Sequence, residues 1–150
     1  MECTVRWAGN AKFLAETETG HALLMEGSAE LGGQNHAPRP MELLLAGAGG
    51  CTAYDVLLIL KRGRHAVDGC EVRLSADRAE ADPKVFTRIH FHYVVSGRGL
   101  RTAIVDRAIK LSAEKYCSAS FMLGKTAALT HDFEIIDTAA LAERGSSPAE

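Results

Sequence analysis

Three features are missing from this chain of 150 residues: a long apolar run, a leader-like start and clustered cysteines. The uncharged run over residues 43–54 falls short of the roughly 20 apolar residues that a membrane span needs, so no membrane partner is expected. Met1–Asn10 has no basic start followed by an apolar stretch, and the chain is expected to be cytoplasmic. Neither sign of charge predominates. With 17 Lys and Arg against 19 Asp and Glu, the net charge of -2 gives no electrostatic reason to expect nucleic acid. The four cysteines, Cys3, Cys51, Cys70 and Cys117, include no C-x-x-C pair, which argues against a zinc ribbon or a thioredoxin-type motif. No repeat and no low-complexity block is present. A hydrophobic share of 47% and a charged share of 24% then describe an ordinary globular protein, expected as one domain over residues 1–150.

The patterning points to α+β. Val5–Gly9 and Lys12–Glu18 have strand character around the turn formers Gly9-Asn10, and His21–Gly27 continues them into a three-stranded meander. Ser28–Arg39, rich in Gly, Pro and Asn, is a long loop of the kind that serves a site or an interface. Cys70–Asp77 and Val85–Ser96 alternate between apolar and polar faces, as half-buried antiparallel strands do. Leu100–Lys115 is an amphipathic helix, Ser118–Lys125 a shorter one, Thr130–Asp137 a last strand and 138–150 a frayed tail. The expected order is β-β-β-α-β-β-α-α-β, with helices covering antiparallel sheets.

These elements are arranged about Pro40–Arg64. Pro40 suits the first turn of a helix, Glu42 meets its positive end, and Lys61, Arg62 and Arg64 gather near its negative end. Apolar on every side, this long central helix needs more wall than a chain of this size provides. A second copy would supply it, which predicts a tight homodimer with this helix at or near the twofold axis.

Cys51 follows the small-residue run Ala46-Gly47-Ala48-Gly49-Gly50, which lets another group come close. A break at the glycines would place Cys51 at a helix N-terminus, where a thiolate is favoured. A straight helix would bury it mid-span with little help.

The pattern PMELLLAGAGGCTAYD over Pro40–Asp55, with a second motif AEKYCS over Ala113–Ser118, resembles the OsmC/Ohr superfamily of osmotically inducible and organic-hydroperoxide-resistance proteins. The likeness extends from about Val5 to Asp137. GGC-x-x-x-DV, K-x-GR and LSAEKYCS are nearest to the YhfA-like subgroup. The resemblance implies an OsmC-like fold, an intertwined homodimer with two equivalent sites at its interface, and a thiol-dependent peroxidase in oxidative stress defence. Cys51 would be the peroxidatic thiol and Cys117 the resolving thiol, with Glu42 as a supporting carboxylate. An organic hydroperoxide would be the substrate and a lipoyl-type dithiol the reductant, with no metal and no cofactor. The alternative is a non-enzymatic relative that binds a small hydrophobic or thiol ligand in the cysteine pocket.

The arginine that the family's peroxidases draw from the N-terminal strands has no counterpart in Lys12–His21, which leaves Arg6, Arg39, Lys12 and His21 as cations. A straight helix would put Glu42 and Cys51 about 13 Å apart along its axis, so Glu42 would act through a break or from a partner copy. Asp55, one turn beyond Cys51, is expected to be structural, capping a loop or binding Lys or Arg. His90 and His92 share a strand face with no third ligand evident. Cys3 and Cys70 are expected to be bystanders, and Tyr116 core or pocket lining.

Overall fold

The structure is a computed structural model and describes residues 1–139. Most of the expected tail, residues 140–150, lies outside the described residues. The chain packs as two units, Met1–Ala46 and Gly47 onward, with the boundary inside the central helix.

The first unit holds a meander of β1 (Cys3–Trp7), β2 (Lys12–Thr17) and β3 (Ala22–Glu26), antiparallel in that order. Gly9 (φ 89°) and Asn10 (φ 49°) make the first turn in the left-handed region that these two residue types tolerate. Gly20 (φ 82°) makes the second turn. Register places Val5 opposite Ala15, Trp7 opposite Phe13, and Phe13 opposite Met25, so one face of the meander is apolar.

The loop that follows is folded around a carboxylate. Glu26 is 1% exposed, and its two oxygens accept the backbone N–H groups of Gln34 (2.8 Å) and His36 (2.6 Å). The Gln34 N–H above all, with the His36 N–H and the Lys12 charge, holds this carboxyl below the usual glutamate range against the opposing effect of burial.

The central helix α1 spans Pro40–Arg62 without interruption. Arg39 precedes it, and the Glu42 carboxylate reaches back to accept the Arg39 N–H at 2.8 Å, one half of a capping box. By length and a mean hydropathy of 1.8 the helix could cross a membrane, so the shortness of its uncharged run does not separate it from a span. Its packing does. Ala48, Thr52, Val56 and Leu60, four residues apart in turn, form a stripe buried against protein, and Thr52 carries a hydroxyl that bonds to its neighbours there. Gly49 allows close approach: a Cβ at that position would meet Leu74 Cδ1 at 2.7 Å.

The second unit is built on a sheet of β4 (Ala66–Arg78), β5 (Phe86–Arg98) and β6 (Ala128–Asp137). β4 and β5 pair antiparallel and alternate as expected. Val72, Leu74 and Ala76 point inward on β4, while Ile89, Phe91, Tyr93 and Val95 are buried on β5. β6 corrects the expectation of purely antiparallel sheets, because it lies parallel to β5. The cause is the connection. A parallel neighbour requires a crossover, supplied here by α2 (Thr102–Leu111), a π turn (Ser112–Tyr116) and α3 (Ser118–Leu123). The amphipathic helix expected through Lys115 therefore ends as an α-helix at Leu111. Val105, Ala108 and Ile109 of α2 complete the core with Val56 and Leu60, each buried aliphatic side chain worth about 1.5–3 kcal/mol. Beyond β6, the Thr138 hydroxyl donates to Asp68 Oδ2 at 2.6 Å.

Because the folded carboxyl of Glu26 titrates below its unfolded value of about 4.3, its contribution to stability is present above that pH. It is lost as pH falls through the folded value. Urea midpoints measured from pH 5 to pH 3 should therefore decline less steeply in Glu26→Gln than in wild type, from a lower starting stability.

Candidate active site

The continuous helix decides between the two settings open to Cys51: the thiol sits mid-helix, without the N-terminal dipole that a break would supply. Asp55 follows one turn later on the same face. The third member comes from the crossover. The π turn donates the Cys117 N–H to Ser112 O at 2.9 Å, and Cys117 then caps α3, its sulfur accepting from Ser120 N (3.4 Å) and Ser120 Oγ (3.1 Å). Such a wide turn is a recurrent way of aiming a functional side chain. The outcome is a cluster of Cys51 Sγ, Cys117 Sγ and an Asp55 oxygen, all within 4.8 Å of one another. Both cysteines are free, with Cys51 half-buried and Cys117 buried. Burial pushes the Cys117 thiol up, the Ser120 hydrogen bonds pull it down, and Cys51 pushes it up again.

Behind the cluster runs a chain of hydroxyls. Tyr93 Oη lies 2.6 Å from Thr52 Oγ1, Thr52 Oγ1 lies 2.8 Å from Ser112 Oγ, and Ser112 Oγ donates to Asp55 Oδ2 at 3.2 Å. Each hydroxyl has one proton, so the last bond sets the direction of the others. Ser112 gives its proton to Asp55 and must accept from Thr52; Thr52 must in turn accept from Tyr93. Tyr93 is fit to donate, because burial above all pushes its phenol up to about 12 despite the bond with Thr52. Tyr93, Thr52 and Ser112 are all buried. This corrects the expectation for Asp55: it bonds Ser112 on the crossover, and among the described residues no Lys or Arg forms an ion pair with it.

Two open hollows adjoin the cluster. One, of about 310 Å³, is lined by Cys117 with Lys115, Tyr116, Phe121 and Met122 among others. The second, of about 240 Å³, is lined by Asp55, Leu58, Ile59, Arg62, Leu111 and Tyr116. Tyr116 is thus pocket lining, as expected, and shared by both. The walls bring Arg62 and Lys115 to the site, two cations the sequence reading passed over.

Of the four cations it named, three are engaged through their side chains in the first unit, and Arg39 enters through its backbone N–H, which Glu42 accepts. Arg6 pairs with Glu16, Lys12 Nζ lies 3.0 Å from His36 Nδ1, and His21 Nδ1 lies 3.1 Å from Thr19 Oγ1. Cys3 is exposed on β1, and Cys70 is half-buried on β4, where burial raises its thiol. The histidines gain a partner that linear sequence did not reveal, because parallel pairing sets Asp132 opposite His92. Asp132 Oδ1 lies 2.6 Å from His92 Nδ1 and 3.3 Å from His90 Nε2. That hydrogen bond raises His92 and lowers Asp132, on the open face of the sheet.

The family profile of OsmC-like proteins matches residues 33–132, which holds both cysteine motifs. The chain belongs to the OsmC-like family. Protein YhfA of Escherichia coli (strain K12) is 46% identical over 136 residues, 91% of this chain and 98% of that protein. Among solved structures, a hypothetical protein from Aquifex aeolicus VF5 superposes with a TM-score of 0.78 at 32% identity, covering 91% of this chain and 96% of that one. An organic hydroperoxide resistance protein OsmC from Legionella pneumophila gives a TM-score of 0.68 at 17% identity, covering 89% and 95%, a likeness of fold. The OsmC-like chain thus has an α+β fold, with the two cysteine motifs of its family joined in one cluster.

Thr52→Val keeps the side-chain volume but leaves the Tyr93 hydroxyl unpaired and takes from Ser112 the bond it accepts, while Ser112 still donates to Asp55. It should cost about 1–3 kcal/mol in urea unfolding, and adding Tyr93→Phe should recover part of that loss.

Proposed function

We propose that this OsmC-like protein is a thiol peroxidase that reduces organic hydroperoxides. The observation that carries the proposal is the approach of Cys51 Sγ, on the central helix, to Cys117 Sγ, on the crossover, within 4.8 Å. The half-buried Cys51 is the peroxidatic residue. Its thiolate attacks the distal oxygen of the peroxide, the O–O bond breaks, and the leaving alkoxide takes a proton to become an alcohol. Cys51 is now a sulfenic acid. Cys117, within reach, displaces water from it and forms the disulfide. A dithiol of the lipoyl type then reduces the disulfide by thiol exchange and is itself oxidised.

The apolar wall of Tyr116, Phe121 and Met122 favours fatty or aromatic hydroperoxides over hydrogen peroxide. Arg62 and Lys115, which line the two hollows, supply positive charge in place of the arginine absent from the N-terminal strands. Hydroperoxide resistance in the names of structural neighbours from Legionella pneumophila and Bacillus subtilis agrees with this chemistry.

The working unit in this reading is a homodimer. Trp7 (69% exposed) in the first unit and Tyr54, Phe121 and Met122 (67%, 67% and 66%) in the second leave large apolar side chains open. A second copy covers them. It also brings a Glu42 to the thiols of its neighbour, which an unbroken helix prevents within one chain.

One equivalent of cumene hydroperoxide should produce a Cys51–Cys117 disulfide detectable by mass spectrometry of tryptic peptides. Cys51→Ser should consume no peroxide, whereas Cys117→Ser should turn over once and leave a sulfenic acid that dimedone traps. Wild-type consumption by Cys51→Ser would sink the mechanism. In sedimentation equilibrium the protein should show a mass twice that of the chain, and a monomer at micromolar concentration would remove the role given to Glu42.

A further inference from the structure

The cluster is a metal-ligand set as well as a thiol pair. Cys51 and Asp55 stand one turn apart on α1, and Cys117 enters from the crossover, which places two sulfurs and a carboxylate oxygen within 4.8 Å of one another. A tetrahedral zinc ion with Zn–S of about 2.3 Å and Zn–O of about 2.0–2.2 Å needs its donors roughly 3.5–3.8 Å apart. Closing that gap takes small side-chain rotations, and the half-buried Cys51 is not tied into a disulfide. Two of the three ligands are already oriented from behind. Ser112 donates to Asp55 Oδ2, and the Ser120 N–H and hydroxyl donate to Cys117 Sγ. Outer hydrogen bonds of this kind hold ligands in metalloproteins.

Charge leads to the same conclusion. With both sulfurs deprotonated the set would carry three negative charges, and among the described residues no Lys or Arg forms an ion pair with Asp55. We propose that the reduced protein binds one soft or borderline divalent ion, with Zn²⁺ as the type, through Cys51, Asp55 and Cys117.

Binding breaks two S–H bonds, sends both protons to solvent, and forms two Zn–S bonds and one Zn–O bond, with no change of oxidation state. The bound ion leaves a residual charge of −1, which Arg62 on the adjoining wall offsets. Two sulfurs exclude Mg²⁺ and Ca²⁺, which take oxygen ligands. The fourth position faces the hollows and is filled by water. Metal binding does not depend on the peroxidase reading, but it occupies the same sulfurs, so a metallated site is closed to peroxide.

The test uses the full-length reduced protein, treated with a chelator, desalted, and titrated anaerobically with Co²⁺ and then Zn²⁺. One Co²⁺ per chain should give a thiolate-to-cobalt charge-transfer band that Zn²⁺ abolishes. Asp55→Asn, which keeps an oxygen for Ser112, should weaken Zn²⁺ binding by at least about 10-fold in competition with a chromophoric chelator. Cys51→Ser, isosteric at a half-exposed position, should lose the band even if Asp55→Asn proves unstable. Cys3→Ser and Cys70→Ser should leave binding unchanged. Absence of the band, its persistence in Cys51→Ser or Cys117→Ser, or equal affinity in a folded Asp55→Asn would each overturn the proposal. Because no peroxide is present, failure here leaves the peroxidase reading untouched, and an inactive peroxidase leaves this one standing.

Discussion

Tyr93, Thr52, Ser112 and Asp55 form a line of hydrogen bonds that ties β5, the central helix and the crossover together at one depth. Buried hydroxyls have little tolerance for misplacement, since each unpaired one costs about 1–3 kcal/mol. Fixing the proton direction from Tyr93 to Asp55 fixes where the helix can sit on the sheet and how far along it the crossover can slide. Those two choices place Cys51 and Cys117. The apolar contacts of Val56, Leu60, Val105 and Ile109 supply the bulk of the packing, but they are non-directional and would accept small shifts that the line does not.

The Cys117 thiol is held in a setting that does not in itself favour its ionisation. Cys117 is pushed up by burial and by its neighbour, and the central helix gives Cys51 no terminus to lean on. In the peroxidase reading, reactivity comes from groups brought to the site, the two wall cations and a partner copy, whereas a bound ion would hold the same sulfurs out of that chemistry. The proposals above assign each of these a place in the same cluster, and all of them require the two sulfurs to be reduced at the outset.

Much of this was legible in the sequence, for identifiable reasons. Strong period-two alternation revealed β4 and β5, and the turn formers Gly9-Asn10 revealed the meander, because these are local properties. The two cysteine motifs could be paired through their resemblance to a known family. What escaped was non-local. Nothing in Thr130–Asp137 says whether the strand docks parallel or antiparallel, and so Asp132 could not be matched with His90 and His92. Ser112 and Thr52 looked unremarkable as isolated polar residues in apolar helices; only the fold stacks them. Asp55 therefore lacked its actual partner, Arg62 was read only as a charge at the negative end of the central helix, and Lys115 only as the end of an amphipathic helix. Glu26 was hidden at a strand end, although a carboxylate ahead of a Gly- and Asn-rich loop is a feature that could have been flagged.

The π turn has an implication for how the molecule tolerates length change. Its wider ring accommodates one more residue than an α-helical turn would, and that surplus sets the azimuth of everything downstream. Excising a single residue from Ser112–Tyr116 would relax the backbone into ordinary helix, at no evident expense locally, yet swing the following sulfur by about 100°. A change of length here would thus spare the scaffold while carrying Cys117 away from Cys51 and Asp55.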